Sequence, residues 1–192
     1  MRKILFLVIL TSLFYSNSYS QDKTDDTKKY LSWVAMQLIP SPTFFEDHNS
    51  ENSRLQFGLR WQITPVNISF KTNKYVSPVQ FFMINPVRRF TGSVEFFVQP
   101  EWTTSGFEYS RLERFGISTG SRVILPLQGE GENLSASIGG KFNYREDLDS
   151  DKNTYFGVEA GLYFFYGLMG VQFNYNFDSK TNYNIGLFIK YF

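Results

Sequence analysis

The chain contains a single histidine, and it stands in a polar segment that could support acid–base chemistry. His48 belongs to the sequence FFEDHNSENS, with Glu46, Asp47, Ser50 and Ser53 close by. An imidazole takes up and releases a proton near neutral pH, so a histidine beside a serine and a carboxylate could activate a hydroxyl nucleophile. A solvated loop histidine is the simpler interpretation. His48 is therefore only a candidate catalytic residue.

A second polar segment, DLDSDKN, has the alternating carboxylates with which some cation sites begin. Asp147, Asp149 and Asp151 are spaced two residues apart, as are the first oxygen ligands of an EF-hand calcium loop. The turn glycine of such a loop is replaced by Lys152, and its closing glutamate by Val158. The segment is more typical of a solvated hairpin loop, and we predict no metal site and no cofactor.

A third group of candidates consists of charged residues on the polar face of alternating segments. In a barrel of about eight strands the interior is just wide enough for its own side chains. Charges there must pair, because an unpaired buried charge costs several kcal/mol. The pattern predicts a charge network that plugs the lumen, and its positive excess also fits a narrow anion-preferring path. The network comprises Arg60, Glu95, Arg122, Lys141, Glu159 and Lys190.

The elements that would position these residues are strands, because seven segments alternate apolar and polar residues with a period of two. No segment after the N-terminal leader has the 18 or so apolar residues of a transmembrane helix. The pattern predicts an all-β fold, a transmembrane antiparallel up-and-down β-barrel whose apolar face meets lipid. The seven segments are residues 54–64, 92–99, 115–125, 134–145, 154–166, 169–178 and 182–192.

The predicted number of strands is eight, and ten is the alternative. Eight strands result if residues 55–70 form one long strand with a bulge at Thr64 and Pro65, and residues 76–84 form another. We favour eight because the piece after the bulge is too short to cross a membrane by itself.

Ten strands result if the chain turns at Pro65 and residues 33–39 form a further strand. His48 would then lie in an external loop, residues 41–53. Residues 28–38 also fit a short amphipathic helix lying at the membrane interface.

The composition favours an envelope protein over a nucleic-acid-binding or disulfide-rich one. Aromatic residues make up 19% of the chain, although its mean hydropathy is −0.26. A wall that faces lipid uses aromatic residues in this way. The formal net charge is +1, without the basic excess that nucleic acid requires. The absence of cysteine leaves no disulfide and no thiolate metal site.

The N-terminal residues have the layout of a secretory signal peptide. Arg2 and Lys3 precede the apolar stretch 4–13, and small residues, Ser18 and Ser20, follow. The predicted organisation is a signal peptide at 1–20, an N-terminal segment at 21–53 (periplasmic helix or coil, or a first strand and loop), and the barrel at 54–192.

Residues 54–192 resemble small bacterial outer-membrane β-barrels of the outer-membrane protein A and X type. The resemblance rests on the alternating segments and on the C-terminal strand NYNIGLFIKYF, whose final Phe192 is one residue out of phase with the apolar face. It implies an outer-membrane location, contact with membrane lipid and lipopolysaccharide, insertion by the barrel-assembly machinery, and a monomer.

The function predicted from these features is envelope-structural or surface-interacting, through loops near residues 102–114 and 146–153. Two alternatives stay open for a barrel. One is a lipid A or phospholipid acyl-modifying enzyme that uses His48, as lipid A palmitoyltransferase barrels use a histidine with a serine and an acidic residue; the deacylase family is excluded, because no His-x-Ser stands on a late strand. The other is a narrow anion-preferring channel. A soluble secreted β-sandwich is a third, less favoured reading.

Overall fold

The computed structural model describes residues 23–70, 78–82, 92–128, 131–150, 153–165, 168–178 and 180–189. One helix, α1 (Lys23–Gln37), precedes ten strands. The strands are β1 (Ser41–His48), β2 (Ser53–Arg60), β3 (Ile63–Ser69), β4 (Val79–Phe81), β5 (Ser93–Thr103), β6 (Leu112–Gln128), β7 (Gly131–Asp147), β8 (Thr154–Phe164), β9 (Met169–Asn176) and β10 (Tyr183–Ile189). The signal-peptide prediction lies outside the described residues.

Eight of these strands close into an antiparallel up-and-down barrel, which confirms the predicted all-β barrel and its strand number. The wall consists of β1, β2 and β5 to β10, and it closes where residues 43–45 of β1 pair with residues 184–186 of β10. Following the cross-strand partners once around the wall from Val94 leads to Thr104, ten residues further along. The interior of such a tilted eight-stranded barrel is just wide enough for side chains or for one small ligand.

The eight wall strands are not the eight that the sequence predicts. β1, at Ser41–His48, lies inside the segment that we placed before the wall. The predicted strand at 76–84 contributes to the described residues only β4, three residues that pair with β3 alone. Pro78 directly before β4 and the short length of β4 keep it out of the wall, because proline removes a ladder hydrogen bond.

The predicted bulge at Thr64 and Pro65 is present, and it links β2 to β3. The pairing with β5 shifts between Ile63 and Val66, and both strands then continue along β5. β2 pairs with β1 on its other side, whereas β3 extends past the start of β1 and pairs with β4. The bulged strand made of β2 and β3 therefore has two parts. β2 belongs to the wall, and β3 forms an extension with β4.

The helix α1 precedes β1 at the end of the barrel where the C-terminal strand ends. Its position confirms the helical interpretation of residues 28–38, so the strand proposed at 33–39 is wrong. The indole Nε1 of Trp61 donates to the carbonyl of Leu38, directly after the helix, at 2.9 Å. Within the part of the chain that the structure describes, no helix is long and apolar enough to span a membrane.

The up-and-down order gives the barrel two unlike ends. The loop end carries the connections 49–52, 104–111, 148–153 and 177–182, and the terminal end carries α1, the start of β1 and the end of β10. Along the wall, side chains alternate between an exposed apolar face and a buried, mostly polar one. The molecule is polar inside and apolar outside.

Candidate functional site

The buried interior of the barrel holds five of the six residues named for the predicted charge network. Arg60, Glu95, Arg122, Lys141 and Glu159 all point inward and are at most 2% exposed. Lys190, the sixth predicted member, lies outside the described residues. The period of two in the sequence assigned these five residues to the inner face, and the wall places them there.

Arg122 forms the centre of the first interior group, which we call the Arg122 cluster. Its guanidinium lies between two carboxylates, with Nε 3.4 Å from Glu95 Oε2 and Nη1 3.0 Å from Glu159 Oε1. The aromatic rings of Phe97 and Phe188 flank the same group, with centroids 4.3 and 5.2 Å from Cζ. One buried cation is thus held by two anions and two ring faces, an arrangement that neutralises it and fixes its position.

The hydroxyl of Tyr163 completes the Arg122 cluster. It accepts hydrogen bonds from Arg122 Nη1 at 3.3 Å and Gln172 Nε2 at 3.0 Å, and lies 2.9 Å from Ser137 Oγ. The Tyr163 ring packs edge-on against Phe188, with centroids 4.9 Å apart. Tyr163 therefore joins three strands through one polar atom.

Glu101 forms the centre of the second interior group, the Glu101 cluster, in which the roles of the charges are reversed. Arg60 Nε donates to Glu101 Oε1 at 2.8 Å, and Lys141 Nζ lies 3.8 Å from the same oxygen. Arg145 Nη2 reaches Glu101 Oε2 at 3.3 Å. Arg60 also donates to Asn184 Oδ1 at 2.7 Å. A single carboxylate is thus shared by three buried cations.

Two members of the Glu101 cluster were missed in the sequence. Glu101 follows Pro100 and lies beyond the predicted segment 92–99, so the pattern assigned it to neither face of the wall. β5 continues through Pro100 to Thr103 because its partner changes from β3 to β2 at this level, where Trp61 N donates to Pro100 O. Arg145 lies at the end of the predicted segment 134–145, and we assigned its side chain to neither face of the strand. Its burial beside Glu101 could have been inferred from the continued alternation of β7.

Glycines on the inner face leave the space that the large interior side chains occupy. A Cβ atom at Gly116 would lie 2.9 Å from the Arg145 guanidinium, and one at Gly161 would lie 2.5 Å from the Tyr163 hydroxyl. A Cβ at Gly58 would likewise meet the ring of Phe45 at 2.6 Å. The inward glycines thus relieve crowding, since each admits a bulky residue from its own or a neighbouring strand.

The loop end of the interior is covered by residues 104–111. The backbone N–H groups of Glu108, Tyr109 and Ser110 donate to the Asp47 carboxylate at 2.7, 3.2 and 2.8 Å. Phe107 is buried and packs edge-on against Phe45. The loop is thus folded over the mouth of the barrel, with Asp47 as its buried anchor.

Asp147, in the first described part of the acidic segment 147–151, is held by several hydrogen bonds within the loop end. Lys180 Nζ donates to both oxygens of Asp147 at 2.8 and 2.7 Å, and Ser150 Oγ donates at 2.6 Å. Burial raises the pKa of Asp147, but the hydrogen bonds from Lys180, Ser150 and the Asp149 N–H outweigh it and lower the pKa to about 2. No cluster suited to a metal ion occurs among the described residues, and Asp151 is not one of them.

His48 lies at the loop end, at the last position of β1. Its register partner across the hairpin is Ser53, and Glu46 precedes it on the same outward face. His48 Nδ1 and Glu46 Oε2 have no hydrogen-bond partner. The topology therefore combines an eight-stranded wall with a histidine at the loop end, a placement that we expected only for ten strands.

Comparison with known proteins finds no matching family model, no matching curated protein and no matching solved structure. The function of the chain has to be argued from the barrel itself.

Proposed function

We propose that the chain is a small outer-membrane β-barrel with a plugged lumen, which anchors the loop end at the cell surface in an envelope-structural or surface-interaction role. The observation that carries the proposal is the inverted polarity of the wall. Ile138 and Phe142 are 68% and 64% exposed on the outer face, while Arg122, Lys141 and Glu159 are buried inside. This is the reverse of a soluble protein, and lipid is the solvent that suits it.

The outer surface also has the distribution of residue types that a membrane interface favours. From Phe156 on β8 to Ile189 on β10, the outward positions of these described strands are apolar or aromatic. Near the loop end, aromatic rings contact one another in pairs, including Phe156 with Phe177 and Tyr175 with Phe177. Aromatic girdles of this kind border the apolar band of outer-membrane barrels.

The two interior clusters and the loop 104–111, which covers one end of the barrel, support a plugged lumen. Ion pairs of Arg122 and Glu101 extend across the interior from β5 to β8, and Arg60 bonds to Asn184 of the last strand. An ion moving through would have to separate these buried pairs, each costly to break. A plugged barrel is thus favoured over an anion channel.

The membrane location is tested with single cysteines, because the natural chain has none. Ile138→Cys, labelled with a fluorophore and folded into liposomes, should be quenched strongly by brominated lipid. The matched control is Leu148→Cys in the loop 148–153, where Leu148 is also exposed, and its quenching should be weak. Equal quenching at both positions, or a mature protein that fractionates without detergent, would contradict the proposal.

The plug and the role of the loops need separate measurements. Purified barrel in planar bilayers should stay electrically silent, and discrete conductance steps would favour the channel instead. In cells lacking the gene, a barrel with both members of the exposed Arg111–Asp149 ion pair replaced by serine should restore envelope integrity if the role is structural. Restoration by the wild type alone would assign the role to surface interaction.

A second candidate function, acyl modification of lipid A or phospholipid, is favoured by the position of His48 opposite Ser53 at the loop end. A general base of this kind must come within hydrogen-bond reach of its nucleophile when substrate is bound. His48→Ala should then change the lipid A mass spectrum of cells, with the exposed Glu51→Ala in the same hairpin as the control. An unchanged spectrum would remove the enzyme hypothesis.

A further inference from the structure

The Glu101 cluster contains more positive charge than its carboxylate can neutralise. Arg60, Lys141 and Arg145 are all within 3.8 Å of Glu101, and the side chains of the four residues are at most 3% exposed. The other two interior glutamates, Glu95 and Glu159, share the single cation Arg122, so the two clusters together hold four cations and three carboxylates, one positive charge in excess. At the loop end, Asp47 is bonded to backbone N–H groups and Asp147 to Lys180. Buried charge that is not matched locally is strongly unfavourable.

Two nitrogen atoms of this cluster have no hydrogen-bond acceptor among the residues that the structure describes. Lys141 Nζ is 3.8 Å from Glu101 Oε1, which is too long for a hydrogen bond, and beyond this pair only the longer-range attraction of Glu159 acts on it. Arg60 Nη1 has none either, although Nε of the same guanidinium bonds that oxygen at 2.8 Å. Both unsatisfied donors thus belong to cations held at a single carboxylate oxygen.

We propose that the interior of the barrel binds one small monovalent inorganic anion, of the size of chloride, at Lys141 Nζ and Arg60 Nη1. Loss of a proton from Lys141 would also reduce the charge, but it would leave Arg60 Nη1 without an acceptor. An anion supplies both donors at once.

The direct test uses bromide as the probe, because it replaces chloride and scatters X-rays anomalously. Crystals of the wild-type barrel grown with sodium bromide should show an anomalous peak inside the wall, within contact distance of Lys141 Nζ and Arg60 Nη1. An interior without such a peak would overturn the proposal, and this outcome includes a lumen that holds water alone or an uncharged Lys141.

A second test compares thermal unfolding in detergent with chloride and with gluconate, which is too large to enter, at equal ionic strength. Raising chloride from about 10 to about 500 mM should raise the Tm of the wild type by roughly 3–6 °C, since a ligand that binds the folded state stabilises it. Lys141→Met should lose this chloride response. The matched control Lys180→Met, which removes a lysine at the loop end, should keep it. An equal chloride response in both variants would refute the site, and if Lys141→Met does not fold, the bromide peak decides.

Discussion

The two interior clusters are built from the same residue types with opposite arrangements. In the Arg122 cluster one cation lies between two carboxylates, whereas in the Glu101 cluster one carboxylate lies among three cations. The central group of the first is also held between Phe97 and Phe188 and bonded to the Tyr163 hydroxyl. The first cluster therefore contains spare partners for its single cation, and the second depends on one acid.

This difference indicates that the stability of a polar interior depends on how many oppositely charged partners each buried charge has, and not on the total number of ion pairs. Removing one glutamate from the Arg122 cluster leaves another. Removing Glu101 leaves three buried cations without any carboxylate of the described residues within ion-pair distance. We expect the two regions to respond very differently to similar substitutions, and four predictions test this difference.

The largest effect is expected for Glu101→Gln, because three cations lose their shared anion. Breaking a buried pair costs about 3–5 kcal/mol of unfolding free energy, and the variant should be at least this much less stable or should fail to fold. Glu95→Gln is the matched control, since Arg122 keeps Glu159. Urea unfolding in detergent micelles, followed by tryptophan fluorescence, measures both. Equal losses in the two variants would remove the distinction between the clusters.

The next effect comes from filling the space at an interior glycine. A methyl group at Gly161 would meet the Tyr163 hydroxyl at 2.5 Å and Ser137 Oγ at 2.9 Å. Tyr163 is fixed by its hydrogen bonds, so Gly161→Ala should cost about 1–3 kcal/mol. Gly116→Ala should cost a similar amount, because the Arg145 guanidinium that its methyl group would meet is held by Glu101 and by the carbonyls of Glu113 and Arg114. Gly106→Ala, with its nearest atom 3.9 Å away, is the neutral control, and losses at Gly161 and Gly116 no larger than at Gly106 would contradict this reasoning.

A smaller effect is expected for Tyr163→Phe, which removes one polar atom from the better compensated cluster. Arg122 Nη1 and Gln172 Nε2 lose an acceptor, and leaving buried donors unsatisfied costs about 1–3 kcal/mol. Arg122 keeps its two glutamates, so the variant should still fold, with a lower urea midpoint. Tyr144→Phe, on the exposed outer face, should not change the midpoint. Failure of Tyr163→Phe to fold would show that the cluster has no spare partners.

The smallest effect concerns the loop end, where Asp147 and Lys180 form a third, partly exposed pair. Asp147 lies beyond the apolar band, since its outward neighbour Glu146 is charged and exposed. Its folded-state pKa of about 2 lies below the ordinary value of 3.8. The stabilisation is therefore complete above about pH 4 and is lost as the pH falls toward 2. Between pH 5 and pH 2.5 the Tm of the wild type should fall slightly more than that of Asp147→Asn, and identical pH profiles would refute the pKa assignment.

The outward and inward faces of the later strands could be predicted because each side of the wall has one kind of environment. On β8 to β10, outward-facing positions are apolar, so the period of two is unbroken and the inward glycines, Glu159 and Gln172 follow from it. Even inward aromatics such as Tyr163 and Phe188 were assigned correctly, because their neighbours define the phase.

β1 could not be predicted in this way, because its two faces do not differ in polarity. Phe45 lies inside, where it packs on Phe107 and under Arg60, while Glu46 and His48 face outward near the loop end. The sequence FFEDH therefore shows no alternation. The pairing of β1 with β10 depends on residues about 140 positions apart, which no local pattern contains.

Five residues of the interior clusters could be predicted from the sequence, but the ion-pair partner of each could not. Face assignment identifies which charges are buried, whereas the partner of each charge depends on the tilt of the strands. Arg60 meets Glu101 because a register set by the bulge at Thr64 and Pro65 aligns β2 with the far half of β5. The predicted segment stops before Pro100, so the sequence pattern did not predict this half of β5.

The short seam between β1 and β10 has a consequence for the order of assembly. Every other pair of neighbours in the wall except β2 and β5 is joined by a hairpin and can form from contacts close in sequence. The three register pairs of the seam need both ends of the barrel domain to meet, so loop closure makes them the slowest pairs to form. Until they form, the sheet has two open edges that can pair with another chain. The chain is therefore most in need of protection at the moment just before the ring is completed.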